Sequence, residues 1–199
     1  MPFWSSGQVE PKRQFRFLVS IPKMNEAAQF YARSVTKPTF SVTQSQHKFL
    51  NHTFYYPGKV EWNTVTVSLV DPVNPDATGN ILSILRKSGY NVPSNVDGTS
   101  GSETLSTIGK GNANFELGEV VIRAIDEDGN FLEEWRLNNP FIVSVGFNDY
   151  TYEGEDLATI DLELRYDWAS YVIPEGRPQP AGEGVLRRLF TPDGATPLS

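Results

Sequence analysis

Cysteine is missing from all 199 residues, and histidine occurs only twice. No disulfide, thiol nucleophile or thiolate metal ligand can form, which fits manufacture in a reducing cytoplasm. His47 and His52 stand five residues apart, so on one continuous strand they point to opposite faces and read as surface or interface side chains, not a metal pair. Basic residues are scarce too: 17 Lys and Arg against 24 Asp and Glu leave a net charge of −7. That balance argues against a surface that grips nucleic acid through its phosphates, though not against one past which DNA slides. No apolar run approaches the length of a membrane span, and Met1–Gly7 lacks the basic start and apolar core of a signal peptide. The expectation is a soluble protein that is not exported by the general secretory route.

Catalytic spacings are equally absent. Asp126-Glu127-Asp128-Gly129 lacks the remaining ligands and the closing Glu of a calcium loop, and reads as a hairpin turn. Glu153, Glu155 and Asp156 have no histidine nearby and read as a solvated or interface loop. Glu133 and Glu134 are adjacent on a strand, face opposite ways, and cannot form a glycosidase carboxylate pair. The glycines between 98 and 111 lack the Lys-Ser/Thr ending of a phosphate-binding loop. No enzyme activity, cofactor or metal is expected.

What the chain does have is alternation. Ile160 to Trp168 switches between apolar and charged residues at every step, sending Ile160, Leu162, Leu164, Tyr166 and Trp168 to one side of a strand. Residues 14–21 read as a strand stopped by Pro22, and Phe30–Val35 as a short second one. Phe40–Tyr56 is β-favouring but weakly alternating, and ends at a Pro57-Gly58 turn. Val60–Val70 follows as a strand with Val65, Val67 and Leu69 on one face. One helix is expected from Asp76 to Tyr90, with Ile81, Leu82 and Leu85 in a stripe and Gly89 as its stop. Residues 91–114 read as a loop. Glu119–Ile125 and Asn130–Leu137 make a hairpin across Asp-Gly, and Phe141–Phe147 adds another alternating strand. Along 130–147, Phe131, Trp135 and Leu137 share the packed side, so Leu132, Glu134 and Arg136 face outward; Glu134 is the candidate for charge lining a channel or a subunit seam.

These lengths suit one domain. Residues 1–13 form an N-terminal arm with Phe3 and Trp4, 14–171 the β domain, and 172–199 a Pro/Gly-rich C-terminal arm. In the latter, Leu186, Leu189 and Phe190 flank Arg187 and Arg188, a composition that suits docking on a neighbour or plain disorder.

The order and spacing of Phe15-Arg16-Phe17-Leu18-Val19, Val35-Thr36-Lys37-Pro38, Pro57-Gly58 leading into Trp62–Val67, the helix, the strand pair between Gly129 and Phe147, and Leu162–Trp168 resemble the tail tube proteins of contractile-tailed bacteriophages, and through them the type VI secretion tube family. The likeness covers about residues 14–171. It implies a mainly β fold, a β-sandwich or half-barrel with one flanking α-helix, in which six copies close one sheet of each into a shared barrel and the rings stack into a hollow tube. It further implies a major tail tube subunit of the virion, assembled in the host cytoplasm. Its partners would be further copies of itself, the tail sheath, a baseplate tube initiator and a tail terminator, with genomic DNA passing through the lumen without specific binding. A tube initiator or terminator of the baseplate or neck would share the fold. Tryptophan and tyrosine content alone suggests a carbohydrate-binding β-sandwich as the reading from another class.

Overall fold

The computed structural model describes residues 11–24, 31–90, 107–153 and 155–172. Phe3, Trp4, Leu186, Leu189 and Phe190 lie outside them, as do residues 91–106 of the expected loop. Ten strands, two α-helices and a single 3₁₀ turn, Pro22–Met24, make up the described chain. The strands are β1 (Phe17–Ser20), β2 (Ala32–Val35), β3 (Phe40–Phe49), β4 (His52–Trp62), β5 (Val65–Val70), β6 (Val120–Ile125), β7 (Phe131–Asn138), β8 (Phe141–Phe147), β9 (Thr159–Arg165) and β10 (Trp168–Val172). The helices are α1 (Ala77–Lys87) and α2 (Lys110–Leu117).

Two four-stranded sheets, ordered β1-β6-β7-β10 and β2-β5-β9-β8, face each other, and β3 and β4 pair only with one another. The mainly β expectation holds. The alternation of β9 has its predicted result: Ile160, Leu162 and Leu164 are buried against Val65, Val67 and Leu69 of β5, while Val19, Val120, Ile122, Leu137 and Ala169 come from the first sheet. Each such Val, Leu or Ile side chain is worth about 1.5–3 kcal/mol when removed from water, which is why strand periodicity, not helix propensity, governs this chain.

The α1 helix begins where expected, its N-cap Asp76 accepting a hydrogen bond from Gly79 N at 3.0 Å, and Gly89 adopts a left-handed φ of 113° just past its end. The stripe differs: Ile81 and Ile84 are buried and Leu82 is 50% exposed. A second helix stands where the last part of the 91–114 loop was expected. Gly111, Asn112 and Asn114 give it little intrinsic propensity, and it is held by Ala113 and Leu117, both buried, with Gly118 at φ 74° ending it.

The Pro57-Gly58 turn is not a turn. The chain reverses at Leu50-Asn51, with Leu50 at φ 51°, and Pro57-Gly58 lies inside β4 at a β-bulge opposite Thr43. An isolated two-stranded ribbon has two free edges, so a residue without an N–H is tolerated there. The last strand also breaks. β9 ends at Arg165, the chain crosses between sheets at Tyr166-Asp167, and Trp168 opens β10 in the other sheet at 39% exposure. The crossing is pinned by Asp167, whose N–H donates to Asn138 O at 3.0 Å and whose carboxylate accepts from Lys110 Nζ at 2.8 Å and Asn139 Nδ2 at 2.9 Å. Those bonds hold its carboxyl below the usual range. Tyr166 keeps the buried parity, and burial pushes its phenol up to about 12.

Candidate assembly surfaces

Strand pairing leaves three kinds of unpartnered surface. The first is sheet edge. In the second sheet every neighbour pair is antiparallel, so its edge strands β2 and β8 run in opposite directions. The β8 edge carries Phe141, Val143 and Phe147, the last two about half exposed, and an apolar open edge is a template for another chain.

The outer face of that same sheet is the second surface. Reading across the ladder, Thr66 lies beside Glu163 and Ser144, and Ser68 beside Asp161 and Gly146. Around the two carboxylates the face is thus small and polar, with Arg165 and its ladder partner Phe141 at its end, and among the described residues neither Asp161 nor Glu163 forms an ion pair.

Glu134 sits on the outer face of the first sheet, on the side opposite Trp135 and Leu137, which pack toward the core. It does not present a free charge: Arg123 Nε lies 2.5 Å from Oε2 and Arg136 Nε 2.5 Å from Oε1, and Arg136 also reaches toward Glu119 at 4.0 Å. Burial pushes the Glu134 carboxyl up, but the two guanidiniums outweigh it and hold it below the ordinary value. Its neighbour Glu133 turns the other way, into the open mouth of the sandwich, where it bridges Lys12 and Lys37. Phe131 departs from the expected face. A bulge at Leu132 shifts the register, and the Phe131 ring lies under Arg123 with the guanidinium 4.8 Å from its centroid, on the Glu134 side.

The third surface is the β3–β4 ribbon, ten and eleven residues long and exposed along nearly its whole length. Only its root touches the body, where Phe40 packs on Trp62 and Trp62 on Tyr166 at ring-centroid distances of 5.3 and 6.0 Å. Because the chain reverses at Leu50-Asn51, His47 opposes Phe54 and His52 opposes Phe49, which puts both histidines on one face of the ribbon. The opposite-face reading assumed a single strand and is corrected. Among the described residues no group of three or more potential metal-ligating side chains forms.

No family model matches the sequence, and no curated protein matches it. Solved structures do match. A chain of the anti-feeding prophage baseplate, solved with six-fold symmetry, aligns over 82% of this chain and 97% of its own at 16% identity and a TM-score of 0.56. A chain of the same particle's tube-terminating cap aligns over 87% and 100% at 13% identity and a TM-score of 0.57. A chain of the sheath–tube complex of an extracellular contractile injection system, in its extended state, aligns over 82% and 93% at 14% identity and a TM-score of 0.55. The fold is the contractile-tail tube fold.

That likeness carries the fold. The sequence identified the β-rich segment 40–56 as poorly suited to a monomer core, which the ribbon bears out. The Asp161/Glu163 face was legible as the charged half of the β9 alternation, but nothing in the sequence said which strands would lie beside it.

Proposed function

We propose that this chain is a structural, non-enzymatic subunit of a contractile injection machine. Copies join side by side into six-membered rings, and the rings stack into a hollow tube inside a sheath. The observation that carries the reading is the pair of oppositely running open edges, β2 and β8, on one four-stranded antiparallel sheet. Rotation about an axis lying along the strands preserves their direction, so β8 of one copy meets β2 of the next antiparallel, and the sheet continues around the ring without an open edge.

The first sheet has the same strand parity but a different outer face. Arg123, Glu134, Arg136 and Glu119 form a compensated network there, with Val121 buried beneath them and Trp168 beside them; that suits contact with protein. The Thr66, Ser68, Ser144 and Gly146 face, where Asp161 and Glu163 form no ion pair among the described residues and Arg165 stands only at the end, suits the bore, because small polar side chains leave nothing to grip and carboxylates repel phosphate. The bore charge is therefore assigned to Asp161 and Glu163 in preference to Glu134. The main tube subunit of a virion or phage-derived particle is the leading reading, with DNA as the polyanion that would pass; the baseplate initiator and the terminator share the fold.

Electron microscopy of the purified protein tests this. Hexameric rings or tubes are expected, alone or on addition of a baseplate initiator. A compact monomer at high concentration that ignores the initiator would overturn the reading. Copy number per particle separates the main subunit from initiator and terminator.

A further inference from the structure

Where the chain enters the described structure, the sandwich stands open. Between the first sheet and β2 lies a cavity of about 710 Å³, walled by Phe17, Ile122 and Trp135 on one side and by Ala32 and Val35 on the other. Its walls continue into the core, where these five side chains are packed. β1 and β2 are each the outermost strand of their sheet, so no further strand covers the gap.

Three observations mark the cavity as a seat for another part of the chain. Trp135 has its Nε1 shut off from solvent with no acceptor among the described residues; buried donors are nearly always satisfied, so the acceptor comes from outside those residues. Glu133, also on the cavity wall, is buried and charged, and it takes Lys12 on one oxygen and Lys37 on the other. The Lys12 bond fixes the chain at the lip of the cavity, so residues 1–10 start from there. Six residues, Ser5 to Glu10, separate Trp4 from Pro11; they span at most about 20 Å, and Ser5-Ser6-Gly7 is a composition that favours reversal. Segment 1–10 holds two large rings, Phe3 and Trp4, has no Lys or Arg, and carries Glu10 as its one acid, against a lining that includes Arg33 and Lys37.

We propose that Phe3 and Trp4 fill this cavity of their own chain and hold β2 against the first sheet, with a backbone carbonyl of the segment accepting from Trp135 Nε1. Two aromatic side chains bring roughly 300–500 Å² of largely apolar surface, which suits walls of Phe, Ile, Val and Trp. The same chain is favoured over a second copy because tethering at the lip sets an effective concentration of about millimolar. β2 is one of the two edges by which copies are proposed to join, so the plug presets that edge before assembly. The inference concerns the unassembled subunit and stands whether or not tubes form.

Because the chain has no cysteine, Ala124→Cys puts a single thiol on the cavity wall. In the full-length unassembled subunit, its reaction with a maleimide should run at least about tenfold faster when Phe3→Ser and Trp4→Ser are added, with circular dichroism reporting that both proteins are folded. A photo-crosslinking phenylalanine analogue at position 4, in a chain otherwise unchanged, needs no substitution in the core. It should give crosslinks within one chain that map to β2 or β6 and persist on dilution. Equal thiol rates in two folded proteins overturn the proposal, as do crosslinks that map away from the cavity. Crosslinks between chains that vanish on dilution overturn it too, and pass the cavity to a second copy. If Ala124→Cys prevents folding, the crosslink map alone decides.

Discussion

Arg123 and Glu134 face each other directly across the β6–β7 ladder, Nε to Oε2 at 2.5 Å, and the other carboxylate oxygen takes Arg136 Nε at 2.5 Å. One carboxylate thus bridges two guanidiniums that would repel each other without it. Because its folded-state pKa lies below the unfolded value, its contribution to stability is full above the unfolded carboxylate range and disappears as pH falls through the folded value. The same sign holds for Glu133 between Lys12 and Lys37. Replacing Glu134 with Gln should flatten the loss of stability expected as pH falls below about 4.5, and Glu134→Ala should cost about 1–3 kcal/mol at neutral pH. Urea melts from pH 3 to 7 check both, and an unchanged acid limb in E134Q would remove the ion pair from the account.

On α1, two neighbouring apolar positions should behave oppositely. Ile84 is 6% exposed and Leu82 is 50% exposed. Ile84→Ala should destabilise by about 2–4 kcal/mol and Leu82→Ala by less than about 1 kcal/mol. Equal losses in chemical denaturation would mean that the helix is rotated.

A methyl group at Gly58 would stand 2.4 Å from Thr43 Oγ1 and 2.9 Å from the Thr43 carbonyl oxygen. The hydroxyl is fixed in place, accepting from Lys59 N at 2.8 Å. Gly58→Ala should therefore distort the bulge while sparing the core melt, and amide exchange should rise in β3 and β4 but not in β5 or β9. Exchange that stays native throughout the ribbon would show that the bulge has room to give.

The chain has no cysteine, so Ser68→Cys supplies the single thiol. Labelled with a gold-cluster maleimide before assembly, it should place density on the tube axis in cross-section, whereas Ser20→Cys, on the outer face of the first sheet, should place it away from the axis. Reversed positions would transfer the bore to the first sheet.

Removing residues 173–199 should leave the melt of the unassembled subunit within about 0.5 kcal/mol of the full chain, since the buried core is drawn from strands and helices within residues 17–172, while weakening ring stacking or sheath attachment through loss of Leu186, Leu189 and Phe190. Intact assembly after deletion would make the segment dispensable.

Much of the fold is written in short-range pattern. The two-residue period of Val65–Val70 and Ile160–Tyr166, the Asp-Gly hairpin and the Asp76 cap are decided by neighbours in sequence, because alternation and turn chemistry act over a few bonds. The α2 helix could not be read the same way: Gly111, Asn112 and Asn114 argue locally for a loop, and only the core waiting for Ala113 and Leu117 reverses that. Trp168 continues the β9 alternation in sequence, yet the crossing at Asp167 carries it to another sheet.

The sequence by itself determined that this is a mainly β protein without cysteine and so without thiol or disulfide chemistry, because those two points depend on period-two burial and on which side chains exist. Only the tertiary structure decided where charge and aromatic surface end up. Glu134 became a neutralised strut because Arg123 and Arg136 arrive from its own and the neighbouring strand. Among the described residues Asp161 and Glu163 stayed out of ion pairs because Thr66, Ser68, Ser144 and Gly146 are their direct cross-strand neighbours. His47 and His52 came to share a face because a reversal at Leu50-Asn51 inverts the parity a single strand would have imposed. Each of these outcomes is set by register between strands, and register is a relation between distant segments that no local pattern carries.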